Sequence, residues 1–151
     1  MELVPFKSVL KVPKGNGFFS DVLAGSEFID VRDKFVFESL RVLNKSWYRG
    51  MSGFMYDACM KFGFDKHYRI VDLEFRRPFD FSEGLFFDGK NLFLPTLIAA
   101  TNWLNQIGLE FNEMDVGIEV PKLGISFWSN YYAGDLNVEL SGVTVHFEDC
   151  K

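Results

Sequence analysis

Tyr68-Arg69-Ile70-Val71-Asp72-Leu73-Glu74-Phe75-Arg76 is where the pattern of the chain changes. Val71, Leu73 and Phe75 alternate with Asp72, Glu74 and Arg76, a period of two that places the two sets on opposite faces of a strand. The stretch reads as a half-buried strand, with Asp72 and Glu74 on its solvated side. Upstream, the apolar residues recur at spacings of three and four. Met51, Phe54, Met55, Ala58, Cys59 and Phe62 make one helical stripe, with Gly63 as the residue just past its end. Val31, Phe35, Val36, Leu40 and Leu43 make another, opened near Asp30, whose carboxylate can cap free N–H groups. The first 17 residues, with Lys7, Lys11, Lys14, Pro13, Gly15 and Gly17, read as an irregular or edge-strand lead-in.

Downstream, Leu85-Phe86-Phe87 and Asn91-Leu92-Phe93 flank Asp88-Gly89-Lys90, a hairpin whose Asp-Gly pair favours positive φ. A helix then begins at Pro95 or Thr96, buries Leu97, Ala100, Thr101, Leu104 and Ile107, and stops at Gly108. Four strand-like runs follow at 116–120, 123–129, 136–140 and 143–148, joined tightly at Pro121-Lys122 and Ser141-Gly142. Helices, strands, a helix and strands again predict an α+β fold. Its helices would pack on one face of a mostly antiparallel sheet that ends in a C-terminal β-meander. With 151 residues and no composition break, the chain reads as a single domain, 1–151.

The chain has 48% apolar and 25% charged residues, as an ordinary globular protein does, with an unusual 18 phenylalanines that suit a core. Sixteen basic against 21 acidic side chains argue against direct nucleic-acid binding, which needs excess Lys and Arg to neutralise phosphates. No apolar run approaches a membrane span, and Met1-Glu2-Leu3-Val4-Pro5-Phe6-Lys7 does not read as a signal peptide, so the expected compartment is the cytoplasm. Cys59 and Cys150 are then expected as reduced thiols, Cys59 as a small core residue.

No catalytic, metal or cofactor motif stands out. His67 and His146 form no ligand pair, and His146 with Cys150 would sit about 13 Å apart on a strand. Gly15-Asn16-Gly17 precedes Phe18-Phe19 and makes no phosphate-binding pattern. The carboxylate pairs Asp72/Glu74, Glu113/Asp115 and Glu148/Asp149 fall on solvated faces, strand ends or the tail, where neither member is desolvated for acid–base work. Arg76-Arg77, with Lys61, Lys66 and Arg69, is interleaved with Asp65, Asp72, Glu74 and Asp80 and reads as a mixed, ion-paired surface.

Charge is distributed unevenly. Residues 1–80 carry 13 basic and 11 acidic side chains, net +2; residues 81–151 carry three lysines against ten acids, net −7. Glu110, Glu113, Asp115, Glu119, Asp135 and Glu139 have almost no cationic neighbours in sequence, and such a field steers and holds a basic partner. Trp128, Tyr131 and Tyr132 lie in the same region, and residues of these types anchor many interfaces. They could equally plug the end of a sheet covered on both faces. Glu113, Asp115, Glu119, Trp128, Tyr131, Tyr132, Asp135 and Glu139 are the candidate partner-binding residues.

Lys14-Gly15-Asn16-Gly17-Phe18-Phe19-Ser20-Asp21-Val22-Leu23-Ala24-Gly25, running into Phe28-Ile29-Asp30-Val31-Arg32-Asp33-Lys34-Phe35, resembles the opening of immunity proteins from bacterial contact-dependent growth inhibition systems. The resemblance covers about the first 40 residues. It implies a cytoplasmic protein, not an enzyme, that neutralises the toxin domain of a cognate effector, often a nuclease. A basic toxin would suit the acidic second half. The other readings are a small-molecule binder or enzyme with a Phe-rich apolar pocket, Trp128, Tyr131 and Tyr132 at its mouth, and an inhibitor of a host nucleic-acid enzyme.

Overall fold

The computed structural model describes residues 2–4, 9–15, 18–32, 39–45, 48–55, 59–77 and 85–147. They form two sheets, mostly antiparallel, and two helices. Strands β1 (Glu2–Val4), β2 (Val9–Gly15) and β3 (Phe18–Leu23) precede helix α1 (Phe28–Arg32). Next come β4 (Ser39–Lys45), β5 (Tyr48–Met55), β6 (Met60–Phe64) and β7 (Ile70–Arg76). The hairpin β8 (Phe86–Phe87) and β9 (Lys90–Asn91) leads to helix α2 (Leu97–Ile107). The chain continues through β10 (Asn112–Met114), β11 (Gly117–Val120), β12 (Ile125–Trp128) and β13 (Gly142–His146). The smaller sheet runs β3-β2-β1-β8-β9, and the larger runs β10-β11-β12-β13-β7-β6-β5-β4 with every pairing antiparallel.

The strand at 70–76 forms, and its alternation holds for Leu73 and Phe75, fully buried, against Asp72, Glu74 and Arg76, half-exposed. At its start Ile70 is buried and Val71 only half-buried, beside a register shift at Gly63/Phe64. The strand pairs with β6 on one side and β13 on the other. The two helices expected upstream are corrected. Leu40 and Leu43 lie on β4, Met51, Phe54 and Met55 on β5, and Phe62 and Gly63 on β6, in a hairpin ladder that includes Leu40↔Gly53 and Gly53↔Phe62. Gly50 and Gly53 explain the outcome, since glycine inside a helix costs about 1 kcal/mol against alanine, and short apolar runs fit either period. Helix α1 is a single short piece that starts at Phe28, with Asp30 inside it; Phe35, Val36 and Ala58 lie outside the described residues. Cys59 stands in the turn before β6, half-buried; Cys150 lies outside the described residues. The expected lead-in at the N-terminus instead supplies the middle of the smaller sheet, where β1 pairs with both β2 and β8.

Helix α2 carries its own stop signals. The Thr96 hydroxyl accepts from the Ala99 N–H at 3.1 Å, and Gly108 closes the helix at φ 74°. Leu97, Ala100, Thr101 and Leu104 are buried, whereas Ile107 in the last turn is exposed. The Asp88-Gly89 turn takes positive φ at both residues, as its hairpin requires. The run 136–140 is not a strand. Leu97 and Ile98 donate their N–H groups to Val138 and Leu136, and Leu140 donates to Pro95, so this segment satisfies the open helix N-terminus. The core combines Phe62, Leu73, Phe75, Val120, Ile125, Phe127, Val143 and Val145 of the large sheet with Leu97, Ala100 and Leu104 of α2. No helix among the described residues is long and apolar enough to cross a membrane.

Candidate functional site

The ladder of the large sheet lines up Arg76, Gly142, Trp128 and Gly117 as successive cross-strand partners. Trp128 therefore sits between two glycines. A Cβ on Gly142 would collide with the indole and with the Phe75 carbonyl, and one on Gly117 with the Phe127 carbonyl and Trp128 Cα. The missing side chain at Gly142 lets the indole lie along the sheet, and the one at Gly117 lets its strand approach the β12 backbone. Ile125 and Phe127 are fully buried while Trp128, on the other face, is half-exposed.

A groove of about 730 Å³ opens at this end. Glu74, Arg76 and Arg77 at the end of β7, Thr144 of β13, Trp128, the turn from Ser129 to Tyr132, Val116, and the segment Glu139 to Ser141 form its walls. None of these is a phenylalanine. Among the described residues, the fully buried phenylalanines Phe62, Phe64, Phe75 and Phe127 belong to the core. Arg77 donates Nε to the Leu140 carbonyl (2.6 Å) and Nη2 to the Leu94 carbonyl (2.9 Å), tying the groove floor to the segment before α2. Its Nε also lies 3.8 Å from Glu139 Oε1, and Arg76 Nε pairs with Glu74. The groove walls thus hold two acids and two arginines.

Of the candidate residues, Trp128, Tyr131, Tyr132 and Glu139 line this groove. Glu113 joins them through the Tyr132 hydroxyl, which donates to Glu113 Oε2 at 3.0 Å; that bond raises the phenol's pKa above its usual value. Tyr131 is 71% exposed. Asp115 is exposed in the β10–β11 turn, and Asp135, also exposed, accepts from the Asn137 N–H. Glu119 is placed elsewhere, opposite Ser126 on the polar face of the sheet. Sequence reasoning assigned Arg76, Arg77, Glu74 and Thr144 no site role. Arg76-Arg77 stood out only as a basic pair, because the partners of Arg77 come from distant segments.

A second polar cluster lies further along that face. Ser126 Oγ is 2.8 Å from His146 Nε2, and His146 is the cross-strand partner of Asp72. Asp72 is not the solvated carboxylate its alternation suggested. Burial raises its pKa and Glu74 adds to the effect, while Lys61 and His146 oppose it. Ser126 is buried, and β12 is paired on both sides, so the main-chain N–H groups beside it are engaged in ladders rather than free to hold an oxyanion. Among the described residues, no group of three His, Cys, Asp or Glu side chains converges as a metal site would require.

A comparison with protein families, with curated proteins and with solved structures finds nothing that matches this chain.

Proposed function

We propose that this chain is an immunity protein: it binds a cognate basic toxin domain, nuclease-like in chemistry, in the cytoplasm and neutralises it by occluding the active site. The observation that carries the reading is the gathering of Trp128, Tyr131, Tyr132, Glu139 and Glu113 at one end of the large sheet. Glu113, Asp115 and Asp135 are exposed and form no ion pair with a cation among the described residues. Unpaired acids around rigid aromatic anchors suit a cationic protein surface, where the aromatics supply contact area and the charges supply steering. On this reading the helices pack on the core-facing side of the sheet. The C-terminal strands act as a meander that presents the opposite face to the partner.

Co-expression with the C-terminal domain of an effector encoded just upstream tests the reading. Growth is expected to be rescued, and Glu113→Lys, Asp115→Lys or Glu139→Lys to weaken the rescue. Rescue undiminished by every reversal would overturn the electrostatic part of the reading, and no rescue at all would overturn the whole.

A further inference from the structure

Trp128 lines the groove, yet its Nε1–H is buried and has no acceptor among the described residues. A buried donor is costly to leave unpaired, so an arriving acceptor is favoured there. The aromatic turn beside it is already fixed. Ser129 N–H donates to the Val116 carbonyl at 2.9 Å and Asn130 N–H to Ser141 Oγ at 2.9 Å. Tyr131 N–H donates to Ser129 Oγ at 3.1 Å and Tyr132 N–H to the Ser129 carbonyl at 3.3 Å. Tyr132 is further held through its hydroxyl by Glu113. A wall ordered before binding loses little entropy when it is occupied.

The charges narrow the choice of ligand. Arg76 is paired with Glu74, and Arg77 is tied to two carbonyls and lies near Glu139, so the walls are close to neutral and poorly suited to a phosphate. What they offer is aromatic surface, an indole donor and, in Glu139 (66% exposed), one acid at the rim. An extended polyproline-type segment matches this set. Its carbonyls are not paired within the segment, its rings lie well on aromatic faces, and its stiffness limits the entropy lost on docking.

We propose that the groove binds an extended, proline-containing segment of a partner protein, with a main-chain carbonyl at Trp128 Nε1–H, proline rings against Tyr131 and Tyr132, and a basic residue at Glu139. Nε1 is closed to solvent as the groove stands, so the wall around it opens to admit the carbonyl. That the partner is a toxin rests on the reading above; the chemistry of the groove does not.

The test is a titration of the ¹⁵N-labelled chain, in which Trp128→Phe identifies one of the indole N–H resonances of the three tryptophans. The probe is a short acetylated, amidated peptide of proline and alanine with one arginine. The Trp128 resonance should move saturably while that of Trp103 stays in place. Replacing the prolines by glycine, the arginine by glutamate, or Tyr131 by alanine in the protein should each weaken binding, the tyrosine change by about tenfold or more. A Trp128 resonance that is stationary at millimolar peptide, or that moves equally with the glycine version, overturns the proposal. Movement of the resonance without growth rescue would leave the groove assignment standing and remove the toxin. Rescue with a stationary resonance would do the reverse.

Discussion

Gly142 and Gly117 flank Trp128 across the ladder, and the seat of the indole on the sheet depends on Gly142. Gly142→Ala should destabilise the chain by about 1–3 kcal/mol, as overpacking does, and should shift the Trp128 fluorescence; urea unfolding and an emission spectrum check both. The alternation of 123–129 already placed Trp128 opposite Ile125 and Phe127, and that much was legible residue by residue. The state of Asp72 was not, because its desolvation comes from strands far away in sequence. Since burial raises its folded-state pKa, the native chain keeps this proton at pH values where the unfolded chain has released it. Between the usual 3.8 and that raised value, stability falls as pH rises, and above it the penalty is constant. Asp72→Asn should therefore raise the melting temperature at pH 7. The gain should vanish below pH 3.8, where the carboxyl is protonated in both states. Thermal denaturation at the two pH values measures this.

At the scale of elements, α2 was legible because its signals are local: a capping threonine, a stripe at i, i+3, i+4 and i+7, and a closing glycine. Thr96→Ala should cost about 1 kcal/mol. The loss should extend beyond the helix, because the carbonyls of Leu136 and Val138 depend on the same helix end, and amide exchange at Leu97 and Ile98 should speed up. The segment 40–62 misled because spacings of three and four between a few apolar residues fit two strands as well as a helix. What settles it is the pairing of β4, β5 and β6, a long-range fact that no window of sequence contains. The run 136–140 misled for the opposite reason: its strand-like composition is real, but its hydrogen-bonding groups serve the start of α2 and the Thr96↔Glu139 bridge.

For the molecule as a whole, the uneven charge was visible by counting, and the aromatic cluster by reading 127–135. Their meeting was not visible. Tyr132 reaches Glu113 across 19 positions and Arg77 reaches Leu140 across 63, distances bridged only by the order of strands in the sheet. That order also brings Glu74, Arg76 and Arg77 from the near-neutral half into a groove otherwise walled by the acidic half. Among the described residues, Phe62, Phe64, Phe75 and Phe127 sit in the core, and the aromatic side chains of the groove walls are those of Trp128, Tyr131 and Tyr132. The role proposed for this end of the sheet is to occlude a basic protein toxin. Growth of cells co-expressing this chain with the toxin domain encoded just upstream tests it most directly. Full rescue by the native chain and reduced rescue by Glu113→Lys, Asp115→Lys or Glu139→Lys are expected; absent rescue, or rescue indifferent to all three, would overturn the proposed occlusion.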